Sequence, residues 1–115
     1  MGQEGLNRAE ILGNIGGEVE LRETKSKGTP YLNLSIATNE RRRNADGDWT
    51  DEAEWHNVII WGKRAKALAT LLKRGRTIYV AGRMETKKWE DSEGIKRQKM
   101  QINADQVILV GSGRD

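Results

Sequence analysis

A mainly β chain, five strands closed as a small Greek-key barrel with one helix between the third and fourth, is predicted by three features. Residues 31–38 and 49–61 alternate apolar and polar side chains at the period of a strand. Only residues 63–74 carry an apolar stripe at helical spacing. Thirteen glycines against one proline supply tight turns rather than a proline-rich linker.

Taken in order, Met1–Gly5 reads as a loose leader and Leu6–Gly13 as the first strand. Gly13–Gly17 (GNIGG) must turn or bulge, because glycine reaches positive φ at little cost. Glu18–Arg22 resumes an extended pattern, and Thr24–Pro30 is a polar turn. In Tyr31–Thr38, Leu32, Leu34 and Ile36 alternate with Asn33, Ser35 and Ala37, the pattern of a half-buried strand. Asn39–Asp48 reads as a polar loop that closes on Asp46–Gly47 and carries the triplet Arg41, Arg42, Arg43.

Trp49–Gly62 (WTDEAEWHNVIIWG) is the segment around which the rest is arranged. It holds three of the four tryptophans, at 49, 55 and 61, each six residues from the last. Even spacing in a strand places Trp49, Trp55, Asn57, Ile59 and Trp61 on one face and His56, Val58 and Ile60 on the other. Val58 and Ile60 are enough to seat the strand on a core. Trp49 and Trp55 stand among Asp48, Asp51, Glu52 and Glu54, and the chain has no phenylalanine. A row of indoles on a half-exposed strand is what nucleobase stacking requires, since every base has a π-face.

Lys63–Arg74 is the helix, with Ala65, Leu68, Leu71 and Leu72 on its apolar side and Gly75 placed as its C′ residue. Its first turn carries Lys63, Arg64 and Lys66, each unfavourable by about 0.3–1 kcal/mol at the positive end of the helix dipole unless an anion compensates. Arg76–Met84 is the next strand, with Ile78, Val80 and Met84 on one face. Alternation continues past Lys87 and Trp89 to a turn at Asp91–Gly94 and back along Ile95–Ile102, a long basic hairpin with Trp89 near its tip. Val107–Val110 closes the sheet.

This order of strands and helix is that of the OB-fold, whose ligands lie across the middle strands and their flanking loops. At 115 residues the chain is one domain, long enough to bury roughly 60–70% of its unfolded surface. The absence of cysteine excludes disulfides and thiolate metal sites and is compatible with a reducing cytoplasm. No apolar run is long enough to cross a membrane as a helix, and Met1–Arg8 lacks a secretory signal pattern. The formal net charge of +3 is unevenly spread: residues 1–62 carry −4 and residues 63–115 carry +7. The second half is the expected home of a polyanion-binding surface.

The segments ILGNIGGEVE, LNLSIATNE, AEWHNVIIWGK, LLKRGRTIYVAGRM and ETKKWED occur here in the order found in the bacterial-type single-stranded-DNA-binding proteins, which the chain resembles from Leu6 to Leu109. The resemblance implies an OB-fold core that assembles, usually as a homotetramer. It implies binding of single-stranded DNA without catalysis or cofactor, in replication, recombination and repair in the cytoplasm. It maps stacking roles onto Trp55, Trp61 and Trp89, and phosphate contacts onto Lys63, Lys73, Arg74, Lys87 and Lys88. Stacking along a positive groove is the known mode of this family.

Three departures stand out. Arg42 occupies a position often aromatic in relatives, and Trp49, across the same loop, is the expected partial substitute, with Arg42 or Arg43 left to grip phosphate. A proline common after the GN-x-G turn is missing near Val19. Family members usually continue into a flexible tail with an acidic tip that recruits other proteins. Here residues 1–110 read as the binding and oligomerisation domain and 111–115 as the stub of a tail, so partners recruited by such a tip are not expected of this sequence.

Rival readings find less support. His56 is the only histidine, no metal-ligand spacing exists, and Asp51 and Glu52 read as solvated loop charge, so an enzyme such as a barrel nuclease is disfavoured. A protein-interaction OB module would bind unstructured oligonucleotide weakly. A cold-shock RNA chaperone lacks its glycine/phenylalanine motifs here.

Overall fold

The computed structural model describes residues 4–111. Of the leader expected at Met1–Gly5, residues 1–3 lie outside the described residues, as do 112–115 of the tail stub expected at 111–115. The strands are β1 (Ala9–Ile15), β2 (Leu21–Glu23), β3 (Pro30–Arg43), β4 (Trp49–Trp61), β5 (Thr77–Glu90) and β6 (Lys96–Leu109), with helix α1 (Lys63–Ala69) between β4 and β5. Sheet order is β1-β5-β6-β4-β3-β2, and a second pairing of β1 with β3 closes the barrel. β1 and β2 both pair antiparallel with β3, at Ile15↔Ile36 and Leu21↔Leu32, so they are the two arms of one bent first strand. The remaining closure is the parallel pairing of β4 with β6 at Val58↔Ile102. This is the expected five-stranded OB-fold.

Alternation explains the interior. Leu32, Leu34 and Ile36 of β3, Val58 and Ile60 of β4, and Ile78 and Val80 of β5 all point inward and are buried. Ala65, Leu68 and Leu72 cover one end of the barrel from the helix side. Each fully buried aliphatic side chain contributes about 1.5–3 kcal/mol by leaving water, so these positions fix the register of every strand.

Several boundaries differ from the sequence reading. The loop expected at Asn39–Asp48 is strand as far as Arg43; only 44–48 turn. Cross-strand pairs hold the polar segment extended: Arg41 opposes Asp51, and Arg43 opposes Trp49. The turn is tightened by Asn44, whose Oδ1 accepts from the Asp46 and Asp48 amides at 2.9 and 3.0 Å.

The helix ends at Ala69 rather than Arg74. Thr70 Oγ1 donates back to the Ala67 carbonyl at 2.8 Å, a local bond that competes with continuation. Gly75 therefore does not cap the helix. At φ 89 it turns the chain so that its amide reaches the Ile15 carbonyl at 2.7 Å. The segments expected at Ile95–Ile102 and Val107–Val110 join in one strand, β6, from Lys96 to Leu109, with an irregularity opposite Ala81 and Gly82. The first strand begins at Ala9 and runs through Gly13 to Ile15.

Arg64, one of the three first-turn cations that from the sequence call for a compensating anion, has a structural task. Its guanidinium donates to the carbonyls of Ala104, at 2.8 Å, and Asp105. They lie at the irregularity: Gly82 pairs with Ala104 and Ala81 with Gln106, so Asp105 is skipped by the ladder. The cation at the helix start is thus partly compensated by carbonyl dipoles.

Candidate nucleic-acid interface

β4 is a single strand from Trp49 to Trp61, so its tryptophans do share a face. Six residues span about 20 Å in a strand, which sets the separation along the row. Trp49 is 57% exposed, Trp55 55% and Trp61 41%, so none is an ordinary core side chain. Ile59, on the same face, is only 4% exposed yet stands outside the barrel core cluster. It is covered from the outer side and forms the floor of a groove.

That groove, about 440 Å³, is lined by Trp61 and Ile59 from β4, Tyr31 from β3, Glu85 and Lys87 from β5 and Gln101 from β6. Its size falls within the range of about 300–1,000 Å³ common for ligand pockets. The Tyr31 and Trp61 rings stand 5.2 Å apart between centroids and tilted by 42°, an arrangement aromatic pairs favour. Tyr31 was not singled out from the sequence. Its signal was there: it lies on the opposite face from Leu32, Leu34 and Ile36.

Trp55 lies against Gly16, and with Asn57, Met84, Met100 and Gln101 it borders a second, smaller cleft. His56 points to the other face and is partly buried, its Nε2 2.9 Å from Thr38 Oγ1.

The arginine triplet divides by strand alternation. Arg41 and Arg43 lie on the tryptophan face, their guanidinium carbons 5.1 and 5.4 Å from the Trp49 ring centroid. Such cation–π contacts hold the indole and leave the cations exposed. Arg42 lies on the reverse face, where Glu40 and Glu52 approach it at 3.4 Å and Glu54 at 3.9 Å. Arg42 is therefore separated from the tryptophan row, and Arg41, not chosen from the sequence, joins it.

The basic hairpin divides in the same way. Trp89 opposes Arg97, Lys87 opposes Lys99, and Lys88 opposes Gln98. Trp89 and Lys87 share a face with Glu85, while Lys88 projects from the reverse side. Trp89 is 41% exposed; an open hollow of about 450 Å³ at the tip is lined from both faces of the ribbon, by Trp89 and Arg97 and by Lys88, Glu90, Lys96 and Gln98. Asp91 fixes that tip: its carboxylate accepts from the Glu93 and Ile95 amides and from Arg97 Nε, each at 2.9 Å. The Ile95 amide first, then Arg97, hold the Asp91 carboxyl below its ordinary pKa.

Lys63 is exposed at the start of α1, two residues after Trp61. Lys73 and Arg74 are exposed in the loop from α1 to β5. The end of that loop is bonded to the backbone of Ile15, next to Gly16 and so to Trp55. The structure thus brings Trp49, Trp55, Trp61, Trp89, Arg43 and Lys87 to one face, while Lys63 follows Trp61 at the start of α1 and Lys73 and Arg74 are exposed in the loop beyond it. Arg42 and Lys88 face away. Among the described residues no group of His, Asp and Glu is arranged to hold a metal ion, and no helix is long and apolar enough to cross a membrane.

Known proteins share the sequence pattern and the fold. Residues 6–110 match the model of the single-strand binding protein family. The chain is 34% identical over 109 residues to single-stranded DNA-binding protein 1 of Chlorobaculum tepidum, covering 94% of this chain and 67% of that one. It is 33% identical over 111 residues to single-stranded DNA-binding protein 1 of Xylella fastidiosa, covering 96% and 81%. The structure superposes on a Plasmodium falciparum single-strand binding protein in complex with single-stranded DNA with a TM-score of 0.81, at 24% identity, covering 96% of this chain and all of that one. A deletion mutant of the Thermus aquaticus single-stranded DNA binding protein gives 0.77 at 27% identity, covering 93% of this chain and 51% of that one. With the family match running through every strand of the barrel, the chain belongs to the single-strand binding protein family.

Proposed function

We propose that the chain binds single-stranded DNA, without catalysis, by stacking bases on Trp61, Trp55, Trp89 and Trp49 while Lys87, Arg43, Lys63, Lys73 and Arg74 neutralise phosphates. The observation that carries this reading is the groove in which Trp61, Tyr31 and Ile59 offer an apolar wall and floor with Lys87 at the rim. Stacking needs unpaired base faces, so duplex DNA is a poor ligand. Residues 1–110 act as the binding and assembly domain, in the replication, recombination and repair of DNA in the cytoplasm. Lys88 and Arg42 contribute through the overall field rather than by direct contact with a strand lying on the tryptophan face.

Self-association completes the reading. β1 pairs with β5 from Ala9 to Asn14, but with β3 only at Asn14 and Ile15, so Ala9–Leu12 presents an edge unpaired within the described chain. A second copy can continue the sheet there. Leu12 on β1, and Ile108 on β6 with Val110 just beyond it, are exposed and give such a contact apolar area. The choice of four copies rests on the family resemblance.

Titration of tryptophan emission with unstructured single-stranded oligonucleotide tests the proposal. Saturable quenching by the single strand, and far less by a duplex of equal length, is the expected result. Equal responses to the two would remove the stacking reading. Little quenching by either would favour a protein-interaction module.

A further inference from the structure

The face that carries the tryptophans also carries a carboxylate. Glu85 sits on β5 between Arg83 and Lys87 and lines the Trp61 groove. It is partly buried, and both of its oxygens are engaged by amides of β6: Gln101 Nε2 donates to Oε1 at 3.0 Å and Asn103 Nδ2 to Oε2 at 3.2 Å. Among the described residues no lysine or arginine pairs with it within 4.0 Å. Gln101 is 8% exposed, the one buried polar residue among those described. A surface that only had to attract phosphate would not hold an acid at this point.

The trio has a definite hydrogen-bonding sense. A carboxylate only accepts, and its two oxygens offer about four lone-pair sites, of which the amides use two. Glu85 and Gln101 both line the groove over Ile59. The lone-pair sites left on the Glu85 carboxylate are acceptors at the edge of the groove in which a base would stack on Trp61. Cytosine and adenine bring an exocyclic amine and guanine an N–H beside an amine. Thymine brings two carbonyl oxygens flanking a single N–H. Phosphate, being anionic, is directed away from Glu85 toward the Lys87 and Lys99 pair next along the hairpin.

We propose that Glu85, positioned by Gln101 and Asn103, is a base-selecting residue that favours cytosine and other amine-bearing bases over thymine in the Trp61 groove. The inference rests on the single-strand binding proposed above and adds a bias to it. A carboxylate hydrogen bond gained with cytosine and replaced by carbonyl repulsion with thymine, in a half-solvated groove, shifts the affinity ratio by about fivefold.

The test is tryptophan quenching of the whole chain by oligodeoxycytidine and oligothymidine of equal length, above neutral pH where cytosine runs stay unpaired. Glu85→Gln is expected to lower the cytosine-to-thymine affinity ratio about fivefold. An equal gain in affinity for both oligomers would mean that Glu85 acts only as a repulsive charge, and would overturn the proposal. A second arm needs no variant: replacing cytosine by 2-pyrimidinone, which lacks the 4-amino group, should weaken wild-type binding about fivefold. An unchanged affinity there would equally overturn it. Absence of binding to every oligomer is a separate result, and would sink the single-strand reading itself.

Discussion

The six-membered ring of Trp55 lies so close to Gly16 that a Cβ at position 16 would overlap Cζ3 and Cη2 of the indole. Gly16 sits just past β1, where its amide also donates to the Ser35 carbonyl at 2.8 Å. The bend in the first strand is therefore the seat of a stacking residue as well as a barrel corner. Gly16→Ala should push the indole off its seat while the core beneath stays intact. A red-shifted or quenched Trp55 emission, with weaker single-strand binding and a small change in melting temperature, is expected. Wild-type affinity in Gly16→Ala would show that the position of Trp55 is immaterial to binding.

Removing an indole tests stacking directly. Trp61→Ala and Trp89→Ala should each weaken binding by about 1–3 kcal/mol, the usual range for one stacked base. Trp61→Ala opens the groove over Ile59 and should also cost some stability, since Tyr31 loses its ring partner. Trp89 is on an exposed ribbon, so Trp89→Ala should leave the melting temperature unchanged. Full affinity in both variants would make the tryptophans structural.

The strand order, the tryptophan face and the helix position were legible because each rests on a local periodicity in the chain. Val58 and Ile60 against Trp55 and Trp61 is a pattern that a strand can satisfy in only one register. What escaped the sequence was decided across strands. Arg41, Arg42 and Arg43 look alike in a loop but separate once Asp51, Glu52 and Trp49 hold them extended. Tyr31 gained its place only because Trp61 lies opposite it, and Glu85 only because two amides of β6 reach it. Arg64 looked like a ligand for an anion because nothing in its own helix reveals the β6 carbonyls of Ala104 and Asp105 that it reaches.

Arg64 should behave as a structural residue. Hydrogen bonds involving a charged group are worth about 1.5–3 kcal/mol. Partial exposure of the guanidinium puts Arg64→Ala toward the lower end, about 1–2 kcal/mol less stable. Chemical denaturation should report that loss, with the salt dependence of DNA binding unchanged. A flatter salt dependence at full stability would return Arg64 to the binding surface.

Asp91 gives the hairpin tip a pH limit. Its folded-state carboxyl is held below the ordinary value of 3.8, chiefly by the Ile95 amide and then by Arg97. A depressed folded pKa means that the turn is supported above the unfolded value and loses that support as pH falls through the folded one. The loss thus falls in the acid range below about pH 4, and binding near neutrality should be flat on this account. Asp91→Asn should loosen the tip at all pH values and remove this acid transition, read by the amide resonance of Ile95. An unchanged transition in Asp91→Asn would assign it to another carboxylate.

The two hairpin lysines separate direct contact from general attraction. Lys87 lines the Trp61 groove and shares the face of Trp89, whereas Lys88 projects from the reverse side of the ribbon. Each phosphate neutralised on a single strand contributes about −0.7 to the slope of log K against log salt. If the strand lies on the tryptophan face, Lys87→Ala should flatten that slope by about 0.7. Lys88→Ala should lower affinity less and leave the slope nearly as it was. Because neither lysine reads a base, both losses should be the same for cytosine and thymine oligomers, unlike that of Glu85→Gln. Trp89→Ala should weaken binding with no change of slope, since an indole releases no counterion. A slope that falls for Lys88→Ala and not for Lys87→Ala would move the DNA path to the other side of the hairpin.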